Sequence, residues 1–293
     1  MNRRRRCSGT GQGVFRAIVV LLAAAVVWTS SGLASGARTL DEIKDRRIVR
    51  IALKESFPPF GFIDASSRWI GFDVEIGLLL ARQMREDFAI KTMFIPVRSR
   101  SDRPKLLVND NTDIVIASYS ITPSRRKTVD FSRSYFHNQG LMVMVPAGKT
   151  GEIGSYHDLT DRLVVVTGRS TGEKFLIRNV DGVNLVPVAN DDYAVKLLQE
   201  GRAEAYVQDL PVCLFHLGKD GDWDVVGKPF TLGGSEDHYG IAVKKGSADL
   251  VHYINLFISR IKGNGTYRRI YRRWFGSGLG KEATPSLPAP VSP

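Results

Sequence analysis

The alternation of short apolar runs with amphipathic segments constrains the fold of this chain more than any other feature. The runs, rich in β-branched residues and typical of buried strands, lie at 47–54, 113–120, 141–146, 163–168 and 203–209. Helical periodicity lies at 72–86, 171–179 and 191–201. Because strands and helices alternate, we expect an α/β protein with mostly parallel sheets. Ligands of such sheets bind at the carboxyl ends of the strands, which is where site residues are expected.

The N-terminal segment has the three parts of a secretory signal peptide. MNRRRR is positively charged, residues 17–28 form an unbroken apolar run, and Ser35 and Ala37 supply the small residues before a cleavage site. The apolar run is too short for a comfortable membrane span. We therefore expect residues 1–37 to be removed and the mature chain to be exported to the periplasm; cleavage after Ala34 is the alternative.

Charge and cysteine content exclude several classes of protein. Of the net charge of +11, five cations lie within residues 1–37, which leaves a moderately basic mature chain. No basic stripe with interleaved aromatic residues is present, so nucleic-acid binding is not expected. Cys213 is the single cysteine after residue 37, and the five histidines lack metal-ligand spacing, so neither a disulfide nor a metal site is predicted. Residues 281–293 are rich in Pro and Ser and are predicted to be a disordered tail.

Several charged residues lie where strands are predicted to end. GRSTGEKF at 168–175 resembles a phosphate-binding loop but has the wrong glycine spacing and Phe after its Lys; nucleotide binding is therefore not expected. Its strand–turn–helix pattern still directs backbone N–H groups at one point, as in an anion site, although an ordinary connection gives the same pattern. Lys54, Arg103 and Arg125 are cations near strand ends, and Asp209 ends an apolar strand. One acid with several cations suits a zwitterion that carries an extra negative charge.

Four segments in order carry a resemblance to a known family. They are RIVRIALKESFPPFGFIDASSRWIGFDVEIGLLLARQM, DIVIASYSITPSRRKTVDFSRSYF, GRAEAYVQD and NGTYRRIYRRWFG. Together they resemble the periplasmic amino-acid-binding proteins of ABC-type importers, solute-binding protein family 3, over about residues 41–276. Two departures are Glu75, where the family usually has Asp, and Arg169, where it usually has Gly.

The resemblance implies how the ligand's α-carboxylate is bound. Arg125 clamps the carboxylate from the first lobe, together with Ser118 and Ser120 on the preceding strand. Ser170 and Thr171 bind it from the second lobe through hydroxyl and backbone N–H groups.

The resemblance also implies contacts for the rest of the ligand. Asp209 receives the α-ammonium group, and Phe57 or Phe60 packs on the ligand's stem. Lys54 and Arg103 correspond to basic residues of members with acidic ligands, so glutamate or aspartate is the expected ligand. The open alternative is that Lys54 or Arg103 faces solvent or pairs with the nearby Glu55 or Asp102, in which case the ligand could be neutral or basic.

The family's architecture is the type II periplasmic-binding-protein fold, with two three-layer α/β lobes joined by two hinge strands. It places lobe 1 at 41–136 plus 239–276 and lobe 2 at 140–234, with crossings near 136–140 and 235–239. The cleft between such lobes closes on its ligand.

The expected function is therefore that of a non-enzymatic, monomeric receptor. It needs no cofactor, has no catalytic residue and delivers its amino acid to the permease subunits of an ABC importer. The alternative is an exported dehydratase of the same fold that acts on prephenate-like or arogenate-like acids. Glu173 is the candidate general acid or base for that reaction, although Glu early in a helix is also favourable without catalysis.

Overall fold

A computed structural model describes residues 38–220, 222–231, 237–276 and 287–288. The predicted signal peptide, 1–37, lies outside these residues. Within the described part of the chain, no helix combines the length and the apolar character that crossing a bilayer requires.

The described chain alternates strands and helices. The strands are β1 (Ile48–Lys54), β2 (Ser56–Phe57), β3 (Gly61–Ile63), β4 (Arg68–Ile70), β5 (Lys91–Val97), β6 (Ile114–Ile116), β7 (Val129–His137), β8 (Leu141–Pro146), β9 (Leu163–Thr167), β10 (Asn184–Val188), β11 (Ala205–Asp209), β12 (Trp223–Phe230), β13 (His238–Lys244) and β14 (Leu287–Pro288). The helices are α1 (Leu40–Arg46), α2 (Phe72–Phe88), α3 (Asp102–Val108), α4 (Pro123–Arg126), α5 (Thr171–Asn179), α6 (Asp191–Gln199), α7 (Leu210–Asp220), α8 (Ala248–Gly263) and α9 (Thr266–Phe275), with a 3-10 turn at Tyr156–Leu159.

The first large sheet has five strands in the order β5-β1-β6-β13-β7 and is covered on both faces. Along β1, Val49, Ile51 and Leu53 enter one apolar core, which also contains residues of α2, α8 and α9. Ala52 points to the other face and packs in a second core with Leu107 of α3. Because side chains alternate along a strand, this division produces three layers, helix–sheet–helix.

The second large sheet has five strands in the order β10-β9-β11-β8-β12 and repeats the same plan. Val164 and Val166 of β9 pack on one face in a core that includes Phe175 of α5. Val165 packs on the opposite face with Leu197 of α6. The chain passes from the first sheet to the second between β7 and β8 and returns between β12 and β13. The exact lobe limits given by the resemblance stay a prediction.

The sheets are mixed, which differs from the expectation of mostly parallel pairing. β1 is parallel to β5 and β6, and β9 is parallel to β10 and β11. β13 is antiparallel to β6 and β7, and β8 is antiparallel to β11 and β12. These antiparallel strands are the ones that carry the chain between the sheets. The connections from β7 to β8 and from β12 to β13 need no helical crossover, because each joins strands of different sheets.

The predicted strand 113–120 is shorter in the structure, because the chain bends after Ile116. Ser118 has a φ of 48°, a left-handed conformation that is uncommon for serine. Asp73, at the start of α2, holds this bend, since its Oδ2 accepts hydrogen bonds from the Ser118 backbone N–H (2.7 Å) and hydroxyl (2.8 Å). Tyr135 donates to the other oxygen of Asp73 at 2.7 Å. Burial raises the pKa of Asp73 to about 6.

Gly71 makes the close approach between α2 and the loop before β3 possible. Its φ is 141°, and a Cβ at this position would clash with the carbonyl group of Phe60. Phe72 then packs edge-on against Phe60, with centroids 6.2 Å apart, within an aromatic cluster that includes Phe136 and Phe275. This packing fixes the loop that carries Phe57.

Part of the predicted disordered tail is described. Within it, β14 pairs antiparallel with β4, joining Leu287 to Trp69 and Pro288 to Arg68. The remaining residues of 281–293 lie outside the described chain, so disorder there stays a prediction.

Candidate functional site

Lys54, the last residue of β1, is buried at the edge of the first sheet, with 2% of its surface exposed. Its ammonium group lies 3.9 Å from the centroid of the Phe57 ring and 3.7 Å from Oδ2 of Asp191, which belongs to α6 beside the second sheet. Burial and the nearby charge of Arg100 lower the pKa of Lys54 to about 7, and Asp191 opposes that shift. The predicted alternative in which Lys54 faces solvent therefore does not hold.

Arg103, in the first turn of α3, is also buried, and its guanidinium donates to main-chain carbonyls. Nη1 bonds the carbonyl oxygens of Ala117 (3.0 Å) and Ser118 (3.2 Å), and Nε bonds that of Arg100 (3.3 Å). Burial lowers the pKa of Arg103 to about 9, which leaves it charged at neutral pH. Arg103 thus supports the bend at Ser118 through hydrogen bonds to its main chain.

Arg125, in α4, lies beside the same bend. Its Nη1 donates to the carbonyl oxygen of Ser120 at 2.9 Å, and its guanidinium lies 4.8 Å from the centroid of the Tyr119 ring. The guanidinium of Arg103 is on that ring as well, at 4.3 Å. Ser118 and Ser120 are both buried, so the segment predicted to bind a carboxylate is gathered at one place.

Asp209 ends β11 and is buried at the edge of the second sheet. Asn138 donates to Oδ1 at 3.1 Å, and the Tyr239 hydroxyl donates to Oδ2. Asn138 and Tyr239 lie on the two segments by which the chain passes between the sheets. Burial raises the pKa of Asp209, and the positive charge of Arg100 opposes this shift.

Asp191 is a buried acid that the sequence reasoning missed. Its Oδ1 accepts hydrogen bonds from the hydroxyls of Thr167 (3.2 Å) and Tyr206 and from Nε2 of Gln208. Its Oδ2 forms no hydrogen bond within the described part of the chain. As the first residue of a helix after an Asn cap, Asp191 has an ordinary structural explanation in the sequence. The overlooked signal is its position just past the carboxyl end of β10.

Arg100 is a second missed residue, in the loop between β5 and α3. It is 5% exposed, its Nη2 donates to Oε1 of Gln208 at 3.0 Å, and it lies 3.9 Å from Oδ1 of Asp191. Its guanidinium is 5.0 Å from the centroid of the Phe57 ring. Residues of the first sheet therefore contact residues of the second directly, across the space between the lobes.

The turn at the start of α5 has the form of an anion site. Ser170 is the N-cap, and its hydroxyl accepts from the Glu173 backbone N–H at 3.0 Å; Thr171 follows it, buried. Arg169 has a φ of 59°, which explains why glycine is usual here and marks the arginine as strained. Lys174 Nζ lies 3.5 Å from the Ser124 hydroxyl, so this turn faces α4.

The predicted site residues thus divide into those that meet in the cleft and those that do not. Phe57 lies beneath two cations, whereas Phe60 packs in the aromatic cluster against Phe136 at 4.9 Å. We name the charged residues of the two facing sheet edges the cleft cluster: Lys54, Asp73, Arg100, Arg103, Arg125, Asp191 and Asp209. No group of His, Cys, Asp and Glu among the described residues could hold a metal ion. Cys213 is a buried free thiol.

Comparison with known proteins gives one family. Residues 49–277 match the family model described as bacterial extracellular solute-binding proteins, family 3. The glutamine-binding protein GlnH of an ABC transporter of Bacillus subtilis is 32% identical over 87% of this chain and 92% of its own. The L-cystine-binding protein TcyJ of Escherichia coli is 28% identical over 83% of this chain and 88% of its own.

The fold is shared with solved structures. The crystal structure of a mutant of the arginine-binding protein ArgBP from T. maritima superposes with a TM-score of 0.73 and 29% identity, covering 81% of this chain and 99% of that one. The predicted fold class, the two-lobed periplasmic-binding-protein fold, is confirmed. The ligands named for these relatives are glutamine, cystine and arginine, so they do not fix the ligand of this chain.

Proposed function

Because this chain belongs to the bacterial extracellular solute-binding proteins of family 3, we propose that it captures an acidic amino acid in the cleft between its lobes for delivery to an ABC importer. The observation that carries this proposal is the meeting of charged residues from both sheets. Lys54 and Arg100 approach Asp191 at 3.7 and 3.9 Å. A ligand held by both sides favours the closed arrangement over the open one.

The α-carboxylate and α-ammonium groups, which all these ligands share, have candidate partners on both lobes. We assign the α-carboxylate to Arg125 and the turn at Ser170 and Thr171, since a guanidinium and a helix N-terminus both suit an anion. We assign the α-ammonium group to Asp209, whose carboxylate is buried at the facing edge. Asn138 and Tyr239 orient that carboxylate.

The charge of the cleft cluster supports glutamate or aspartate as the ligand. When Lys54 is protonated, the cluster holds four cations and three carboxylates, nearly all of them buried. A neutral amino acid is a zwitterion and leaves the excess positive charge uncompensated. Glutamate and aspartate carry one net negative charge and offset it. An uncompensated buried charge is costly, so the acidic ligands are favoured.

The surroundings of Glu173 support a receptor over a dehydratase. Its Oε2 accepts a hydrogen bond from the backbone N–H of Arg169 at 2.6 Å, at the helix N-terminus. A carboxylate in this position closes the first turn of α5, which accounts for the residue without catalysis. Incubation with prephenate and arogenate tests the alternative, since an aromatic product would show that the chain is an enzyme.

The remaining parts of the proposal concern where and in what form the protein works. We propose that the segment 1–37 directs export and that the mature chain acts as a monomer in the periplasm. Its partners are then the amino acid and the permease subunits of the importer.

Thermal unfolding with a ligand panel tests the proposed function. The mature protein is first unfolded and refolded to remove any co-purified ligand, and its Tm is measured with each common amino acid and L-cystine. At a ligand concentration of 100 Kd, binding stabilises the native state by about 2.7 kcal/mol. We expect glutamate or aspartate to raise the Tm most. A panel in which nothing raises the Tm would contradict the receptor, and a larger effect of glutamine, arginine or L-cystine would contradict the acidic ligand.

A further inference from the structure

Arg100 has the geometry of a ligand-binding cation. Its side chain is buried, and one of its terminal nitrogens is used, in the bond from Nη2 to Gln208 at 3.0 Å. Its Nε is buried and has no hydrogen-bond partner among the described residues. An unsatisfied buried N–H is costly, so this group calls for an acceptor. The Nη2 atom of Arg100 lies 3.9 Å from Oδ1 of Asp191, beyond hydrogen-bond reach.

Arg103, the cation that the sequence indicated, has its Nε and Nη1 donors committed to the fold. Its Nε and Nη1 bond the main-chain carbonyls of Arg100, Ala117 and Ser118. The carbonyls of Ala117 and Ser118 belong to the bend that Asp73 holds. Arg103 is thus a supporting residue of the bend, and it also fixes the backbone of Arg100.

Asp191 supplies the negative charge that allows Lys54 and Arg100 to lie close together in the cleft. Its Oδ2 is buried without a hydrogen bond within the described chain, and the Lys54 ammonium group lies 3.7 Å from it. An ammonium group has three donors, so Lys54 can contact Asp191 and one further acceptor. That acceptor can be shared with Arg100, since both cations lie over the Phe57 ring.

We propose that Arg100, with Lys54, binds the side-chain carboxylate of the ligand, and that Asp191 is the counter-charge that holds these two cations in place. Selectivity for an acidic ligand over its amide then resides in Arg100 and not in Arg103. This inference rests on the proposed function, and it adds a specificity residue that the resemblance did not supply.

The test compares Arg100→Gln with a matched control, Arg98→Gln. Arg98 is an exposed arginine two positions away, paired with Glu55 at 3.3 Å. Calorimetric titration gives Kd for glutamate and for glutamine with each variant, after thermal unfolding has shown that each is folded. The loss of a buried charge partner weakens binding by about 30-fold or more. We expect Arg100→Gln to lower the preference for glutamate over glutamine by about that factor, and Arg98→Gln to leave it unchanged.

Two further variants keep the outcome decisive. Arg100→Lys keeps the charge and should retain part of the preference, and Arg103→Lys should lower stability while leaving the preference near that of the wild type. The inference is overturned if Arg100→Gln weakens glutamate and glutamine equally, or if Arg103→Lys removes the preference. A wild type that binds neither glutamate nor aspartate would instead contradict the proposed function.

Discussion

Lys54 is the residue whose ionisation is most closely tied to binding. Its ammonium group is buried beside Arg100, and its pKa is lowered to about 7. Without a ligand, Lys54 therefore loses its proton as the pH rises through 7. An anionic ligand side chain placed against Lys54 stabilises the protonated form and raises the pKa again.

This coupling predicts that binding of glutamate takes up a proton above pH 7. The affinity should fall as the pH rises from 7 to 8.5, by up to about tenfold per pH unit, because one proton must be bound with the ligand. Titration calorimetry in buffers of different ionisation enthalpy measures the proton uptake directly. Lys54→Met should abolish both the uptake and the pH dependence. Equal pH dependence in the wild type and in Lys54→Met would show that another group is responsible.

Arg125 and its neighbour Arg126 provide a matched pair for the carboxylate contact. The Arg125 guanidinium lies at the bend, 2.9 Å from the carbonyl of Ser120, whereas Arg126 is exposed and lies 6.0 Å from the Phe131 ring. Arg125→Ala should weaken binding of every amino acid by about 2–5 kcal/mol, because its loss leaves a carboxylate unpaired in a closed cleft. Arg126→Ala should change the affinity little. Equal effects in calorimetric titration would show that the binding arginine has been misassigned.

At the residue scale, the sequence indicated Lys54, Arg125 and Asp209 because each follows or ends a recognisable apolar strand. It missed Arg100 because the segment after β5 carries three arginines and only Arg103 was singled out. β5 itself was not recognised as a strand. The segment Lys91–Val97 contains Lys91 and Pro96 and lacks the continuous apolar run of a buried strand. The rule that sites lie at strand ends does not say which of several arginines after a strand reaches the site.

At the scale of single elements, the approach of α2 to the loop before β3 depends on Gly71. A Cβ there would clash with the backbone of Phe60, whereas Gly148, also at positive φ (82°), has no atom within 4 Å of a Cβ among the described residues. Gly71→Ala should lower the free energy of unfolding by more than about 2 kcal/mol, because steric overlap adds to the strain of a left-handed conformation. Gly148→Ala should cost only about 1 kcal/mol, from the conformation alone.

Urea denaturation of the two glycine variants measures this difference. Both glycines have positive φ, and Gly71 also has a ψ of 168°, a region that essentially only glycine occupies, so its larger loss combines the clash with a costlier conformation. Similar losses of stability in the two variants would contradict the packing described for Gly71.

Whether a segment forms a helix or a strand was predictable where its capping residues and apolar periodicity indicate one of the two. The helix expected at 171–179 has those bounds in the structure, since Ser170 caps it and its apolar face is periodic. Strand direction was not predictable in the same way. β8 and β9 are both buried almost throughout, on both faces of the sheet, yet β8 is antiparallel to β11 and β9 is parallel to it. A continuous apolar run indicates a strand that is buried on both faces, and in these two strands it did not distinguish the direction.

At the scale of the whole molecule, contacts between the two sheets define a closed arrangement. Arg100 bonds Gln208 across the cleft, and Lys174 approaches Ser124. If these contacts form when the ligand is bound, the radius of gyration should be smaller with saturating glutamate than without it. Small-angle scattering of refolded, ligand-free protein measures both states. An unchanged radius at saturation would contradict closure upon binding.

Calorimetric titration of the wild-type mature protein with glutamate, aspartate and glutamine at pH 7 tests the central claim most directly. The claim is that the excess positive charge of the cleft cluster selects an acidic amino acid. We expect glutamate or aspartate to bind with one ligand per chain and at least about tenfold more tightly than glutamine, a difference of about 1.4 kcal/mol. Glutamine binding as tightly as both acids, or more tightly, would contradict the claim.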